Sequence, residues 1–303
     1  MIQFLQREQL DTRRWDDVIA NSPAETIYPY SWYLDTAAGR WSAFVMEDYR
    51  FVMPVIWGRK FGIKYAFHPA FVQQLGVFSK EFTDPVVIRQ FLQAVRSGFM
   101  FGNLQFNCQN LVGHEPGFEV NDRVNYELHL DRDYESLVKE YSENARRNLK
   151  KAMDHHPEIR EDIAIDDLIR LKKETSISNR SNAYLTWMRN LFTLLLDQGR
   201  GRVAGVRRDG RLIAGVFFAF SRKRAIYLLS ASDETGMDTR AMFAIVDHFI
   251  RQHAGSGIIL DFEGSNIPSI ARFFAGFGAK PATYQAVGFD RLPGVIRKLR
   301  KNG

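Results

Sequence analysis

A few side chains in this sequence combine a reactive group with a position that invites chemistry. Glu263 follows the apolar run Ile258–Phe262, which reads as a short buried strand. A carboxylate at a strand end can take a proton as a general base, or can cap the turn. Asp261 alternates with Phe262 and can face inward. Tyr227 and Tyr284 lie in strand-like runs. Their phenols can protonate a leaving group, or serve as ordinary β-rich core aromatics. Arg146, Arg147, Lys150 and Lys151 fall in one helical pattern. Arg146 and Lys150 are four apart, as are Arg147 and Lys151, so each pair shares a helix edge. Such an edge suits the pyrophosphate of a nucleotide-sugar or the phosphates of tRNA, or is a plain solvated face. Arg240 stands in the first turn of another helix, where it can pair a phosphate or stay solvated. His68, Gln73 and Gln74 lie among aromatics in Tyr65–Leu75. That mixture suits an acceptor groove and buried β-structure about equally.

Other chemistries find no support. His155 and His156 are adjacent and so point apart on a helix, with no cysteine or histidine spacing beside them; no metal is expected. Gly255-Ser-Gly257 is a helix-to-strand turn, and neither a P-loop nor a dinucleotide fingerprint is present. The single cysteine, Cys108, rules out an internal disulfide and fits a reducing cytoplasm; it reads as packed and inert. The phenylalanines, 24 in all, are spread through strands rather than gathered as a base-stacking platform.

The elements that must position these groups are legible from spacing. Arg202–Arg208, Asp209-Gly210 and Arg211–Phe220 predict a hairpin closed by a type I′ turn. Ala225–Ala231 completes a three-strand meander. A polar stretch, Asp233–Thr239, precedes the helix Arg240–His253, and Ile258–Phe262, a short helix Ile267–Gly276 and a last strand Ala282–Asp290 follow. Upstream, Ile2–Leu5 reads as a strand, Thr12–Asn21 and Ser31–Ala38 as helices, and Ser42–Glu47 with Arg50–Trp57 as a hairpin. Tyr65–Phe78 is extended, Asp84–Arg96 is a helix with Pro85 at its first position, and Asn103–Cys108 and Arg123–Leu130 are strands. That order repeats the order of Gly201–Val287, which implies an internal duplication of one architecture. Between the halves, Asp131–His155 predicts one long amphipathic helix, Glu158–Ile163 a strand, and Asp166–Thr175 and Ala183–Gln198 two more helices. The basic tail, Leu292–Lys301, could dock on phosphate or fray into solvent.

A length of 303 residues suits two domains, and the net charge of +6 suits an anionic partner such as CoA, a nucleotide-sugar or tRNA, or is only that of a soluble basic protein. The longest apolar run, Leu212–Phe220, is too short to span a bilayer, and Met1–Arg7 lacks the apolar core of a signal peptide; a cytoplasmic location is expected.

The element order of Gly201–Val287 resembles the core of N-acetyltransferase-type (GNAT) proteins. The likeness is sharpest at Asn266–Gly278, which is similar to the family's late helix. Leu212–Gly215, Asp261–Gly264, Phe273–Gly278 and Asn144–Ala152 more narrowly resemble the FemAB/FemX peptidyltransferases. The resemblance implies an α+β (mixed α/β) fold of two tandem GNAT-like domains, each a mostly antiparallel central sheet flanked by helices, divided here as 1–130 and 131–303. It implies transfer of an acyl or aminoacyl group to an amine, with acyl-CoA or aminoacyl-tRNA as co-substrate, no tightly bound cofactor, and a small-molecule or peptide-like acceptor. It places the acceptor amine near Glu263; the residues themselves then offer the Glu263 carboxylate as candidate base and the Tyr227 and Tyr284 phenols as candidate acids. Two departures stand out. The loop Asp233–Arg240 lacks the family's acetyl-CoA phosphate pattern and carries three acids that repel phosphate. Phe274 stands where the family carries a proton-donating Tyr or a Lys. Both departures fit a catalytically degenerate binding protein for a nucleotide-type or peptide ligand as the alternative.

Overall fold

A computed structural model describes the chain except residues 177–179, 265–266, 295–296 and 298–303. The start of the late-helix motif at Asn266 and the basic residues Lys298, Arg300 and Lys301 therefore lie outside the described residues.

In chain order the elements are β1 (Ile2–Gln6), α1 (Thr12–Asn21), α2 (Ser31–Ala37), β2 (Trp41–Met46), β3 (Phe51–Lys60), β4 (Ile63–Ala66), α3 (Pro85–Gly98), β5 (Phe101–Gln105) and β6 (Glu119–His129). There follow α4 (Tyr134–Lys139), α5 (Glu143–Asp154), β7 (Ile159–Arg160), α6 (Ile165–Thr175), α7 (Asn182–Asp197), β8 (Gly201–Arg208), β9 (Arg211–Phe220) and β10 (Arg224–Ser232). The last are α8 (Glu234–Asp238), α9 (Ala241–His253), β11 (Ile259–Asp261), α10 (Pro268–Gly276) and β12 (Lys280–Asp290). The chain divides into two compact units, Met1–Arg123 with Thr283–Gly303, and Val124–Ala282. This differs from a cut at residue 130, because Val124–Leu130 goes with the second unit and the segment from Thr283 onward with the first.

In the first unit β1, β2, β3 and β4 pair antiparallel in sequence order, β4 pairs parallel with β5, and β5 pairs antiparallel with β12 through Ala286–Asp290. The second unit repeats this plan. β7, β8, β9 and β10 pair antiparallel, β10 pairs parallel with β11, and β11 pairs antiparallel with β6 through Glu127–His129. Each unit thus takes its sixth strand from the chain that follows the fifth strand of the other. Each sheet buries its own core. The first gathers Phe44, Met53, Phe91, Phe106 and Phe289, and the second Phe218, Ile245, Phe249, Phe262 and Phe277. A buried side chain of this size contributes about 1.5–3 kcal/mol relative to exposure.

Local chemistry explains most boundaries. Asp209 and Gly210 both have positive φ, 49° and 76°, as the type I′ turn requires. Asp84 accepts from the Val86 N–H ahead of Pro85, and Ser181 accepts from the Tyr184 N–H to start α7. The long helix expected over Asp131–His155 is two helices. The Ser142 hydroxyl accepts from the Ala145 N–H and starts α5 afresh, while the Ser142 N–H donates to the Gly276 carbonyl at 2.9 Å. A local cap and a tertiary bond thus outcompete helical continuity that the apolar stripe alone would favour. The polar stretch after β10 is the short helix α8, and only Ile159–Arg160 of the expected strand Glu158–Ile163 is paired as β7. Of Tyr65–Phe78, only Tyr65 and Ala66 belong to a strand; beyond them, Leu75 and Phe78 make isolated bridges to Phe106 and Val52.

Candidate active site

The site begins with a fork in the second unit's sheet. β10 pairs with β9 from Ala225 to Ser232, with a bulge between Tyr227 and Leu229. Its parallel partner β11 accompanies it for three residues only, Arg224–Ile226 against Ile259–Asp261. Beyond that point the strands part. A cleft of about 880 Å³ opens there, bounded by α6, α8, the start of α9 and α10.

Tyr227, Phe243, Phe273 and Phe274 give the cleft an aromatic lining, and the buried Phe262 packs behind it. The Phe262 and Phe274 rings stack at 4.7 Å, and Tyr227 lies 5.8 Å from each. Tyr227 Oη donates to Met242 Sδ at 3.1 Å. Burial pushes this phenol well above its ordinary range, with Ser230 acting against the shift. Tyr227 therefore remains protonated and hard to ionise, and Phe274 beside it carries no proton at all. The cleft also holds Lys172 from α6. Its Nζ donates to the Ser230 carbonyl at 3.0 Å, and burial, reinforced by Arg180, lowers its pKa.

In the turn that the family resemblance assigns to donor phosphate, the start of α8 already has a side-chain acceptor. The Asp233 carboxylate accepts from the Gly236 N–H at 2.8 Å, so the start of α8 is capped by the protein's own acid. Gly236 packs so tightly that a Cβ there would run into the Ile213 carbonyl and Ser232 Oγ. Arg240, just beyond, adopts left-handed backbone with φ 58°, a costly conformation for a residue with a Cβ. One guanidinium nitrogen donates to the Met237 carbonyl at 3.1 Å, while Nε is buried and unpartnered.

Arg240, Phe243, Ser269 and Phe273 also line a second cleft, of about 990 Å³, which adjoins the first. Its cations are Arg147 and Lys151 from α5, Arg240, and Arg272 from α10, with Asn144 and Asn148 between them. The expected cationic edge is thus divided. Arg147 and Lys151 face this cleft, whereas Arg146 turns to the Lys139 carbonyl at 2.8 Å and neither it nor Lys150 lines the cleft.

The other expected residues stand apart from the fork. Glu263 has left-handed backbone with φ 56°, and its N–H donates to Asp261 Oδ1 at 2.9 Å; it lines neither cleft. Asp261 belongs to a buried network, bonded to Asn125 at 2.9 Å and paired with Arg224 at 3.1 Å, which also pairs Glu127 at 2.7 Å. Burial raises the Asp261 pKa, against the pull of Arg224. Tyr284 belongs to the first unit and is buried. In that unit Gln74 donates to Gln73 at 3.0 Å and accepts from the Cys108 N–H at 3.2 Å. Both ring nitrogens of His68 are buried and unpartnered, although the residue as a whole is only half-buried. Lys172 and Arg272 were not singled out from sequence. Lys172 follows no motif, and Arg272 lies inside the late-helix pattern without being one of its signature positions.

Residues 139–266 match the acetyltransferase (GNAT) domain family. The chain has a GNAT fold. FemX superposes with a TM-score of 0.67 at 10% identity, covering 93% of this chain and 96% of that one. A tandem GNAT protein from the clavulanic acid biosynthesis pathway gives 0.56 at 13% identity, covering 97% and 100%. L-PGS from Bacillus licheniformis gives 0.56 at 9% identity, covering 95% and 94%. No curated protein matches the chain in sequence. The GNAT match spans α5 and all of β7–β11, so both clefts are built largely from GNAT-domain residues. Among the described residues no helix is long and apolar enough to cross a membrane.

Proposed function

We propose that this protein is an N-acyltransferase whose acyl donor carries phosphate. The observation that carries this reading is the junction of the two clefts at Arg240 in a domain that matches the acetyltransferase family. A donor laid across that junction puts its phosphates among Arg147, Lys151, Arg240 and Arg272, and its acyl carbonyl in the aromatic fork. Charge-assisted bonds from guanidinium groups suit phosphate oxygens, and the buried Arg240 Nε supplies a donor that has no partner in the protein. The phosphates then avoid the acid-capped start of α8. Acyl-CoA fits this layout, with aminoacyl-tRNA as the second donor class and an amine as acceptor. The acceptor amine attacks the carbonyl carbon, the C–N bond forms, and the bond to the leaving thiol or hydroxyl breaks.

A binding protein that has lost chemistry is the second reading, favoured by Phe274 and by the Asp233 cap. Thermal shift with acetyl-CoA, longer acyl-CoAs, nucleotide-sugars and bulk tRNA separates the two readings when followed by an acyl-transfer assay on each ligand that binds. Stabilisation by an acyl donor together with amide formation on an amine supports the transferase. Stabilisation by a nucleotide-sugar alone, with no transfer, replaces it by the binding protein.

A further inference from the structure

We propose that Lys172 is the proton-transfer residue of the fork, serving where the late helix carries Phe274. The proposal rests on the acyltransferase reading above and names the group that handles its protons. Three observations lead to it. The α6 side chain reaches into the fork cleft and holds the Ser230 carbonyl at 3.0 Å, on the part of β10 that runs beyond its pairing with β11. Among the described residues no carboxylate lies within ion-pairing distance of its Nζ. The acids that line the cleft are Glu174 on α6 itself, which pairs Arg211 on β9, and Asp233 and Glu234 at the start of α8. The cations are Arg211 and Arg240, with Arg180 nearby outside the lining, and the remaining titratable group is the Tyr227 phenol. Finally, burial moves the two candidate proton carriers in opposite directions. It takes Tyr227 further from neutrality and brings Lys172 closer to it, and proton transfer is most efficient from a group whose pKa lies near the working pH.

The step balances without a co-reactant. The neutral amine attacks the acyl carbon and forms the C–N bond. The bond to the leaving sulfur or oxygen breaks with its electron pair, and Lys172 gives that atom a proton and becomes a neutral amine. Lys172 then takes the proton shed by the new amide nitrogen and is restored.

Two measurements on the full chain test this. The first labels the wild-type protein with acetic anhydride from about pH 6 to about pH 10 and reads Lys172 and its exposed neighbour Lys173 by mass spectrometry. Lys172 should become reactive at lower pH than Lys173 and should be protected, unlike Lys173, by acetyl-CoA or bulk aminoacyl-tRNA. Equal midpoints overturn the proposal, and this readout does not depend on any variant folding. The second compares wild type with Lys172→Gln and Lys172→Arg, using the donor that the wild type turns over. Both variants should lose about 10²–10⁴-fold in kcat with KM for the donor little changed, because arginine keeps the charge but does not release its proton at working pH. Wild-type kcat in Lys172→Arg overturns proton transfer by Lys172 and leaves the acyltransferase reading standing. A wild type that neither turns over any donor nor is protected by one overturns both.

Discussion

At the scale of single residues, the chemistry of this GNAT-fold protein is set by where burial puts protons. Tyr227, Phe274 and Lys172 share one cleft, yet only Lys172 is both titratable and shifted toward neutral pH. His68 shows the same principle in the first unit. Burial alone lowers its pKa from 6.5 to about 3, so the folded protein holds the ring neutral where the unfolded chain would protonate it. That contribution to stability is fully present above pH 6.5 and is lost as pH falls from there toward 3. Urea unfolding should therefore show the midpoint falling through this window more steeply in the wild type than in His68→Phe, which cannot titrate. Parallel curves would show that His68 is hydrated in solution. His68 was legible in sequence as a polar residue among aromatics, but not its protonation state, which depends on long-range packing around the ring.

At the scale of elements, caps decide more than periodicity does. The i,i+4 spacing correctly put Arg147 and Lys151 on one helix edge. It also joined α4 to α5 in one long helix, because an apolar stripe carries no record of a serine that prefers to bond its own backbone. Ser142 ends that continuity and ties the start of α5 to the end of α10, two elements that line the cationic cleft. Ser142→Ala should cost about 0.5–2 kcal/mol in denaturant unfolding. It should also weaken donor binding, since Arg147 and Lys151 ride on the helix that the cap starts. Unchanged stability would mean that the Ser142 hydroxyl contributes nothing to starting α5. The turn residues were the clearest signals of all. Asp209-Gly210 closes its hairpin as read, because only a few residue types accept two successive positive φ angles. The acids of the Asp233 turn are plain in the sequence, whereas the bond by which Asp233 caps α8 is a feature of the fold. The short helix of that turn and the close packing of Gly236 depend on β9, which lies far away in sequence.

At the scale of the whole molecule, the duplicated plan was visible as a repeated element order, while the exchange of sixth strands was not. Strand pairing between β6 and β11, or between β12 and β5, joins residues at least 130 positions apart, and no local pattern encodes a partner at that distance. The exchange predicts where the chain can be cut. Residues 131–303 alone leave β11 without β6 and β12 without β5, and exposed strand edges invite aggregation. That fragment should lack a cooperative thermal transition by circular dichroism, whereas residues 124–282, which form one compact unit, should show one. A cooperative melt of 131–303 would place the division where the sequence alone suggested it. The central claim, a phosphate-bearing donor laid across Arg240, is tested most directly by calorimetric titration of the full chain with acetyl-CoA and with bulk aminoacyl-tRNA. Wild type should be compared with an Arg147→Ala, Lys151→Ala, Arg272→Ala variant. Binding of one donor that weakens with salt and falls at least tenfold in the variant, about 1.4 kcal/mol, is the expected result. Binding of neither donor, or equal affinity in both proteins, would contradict it.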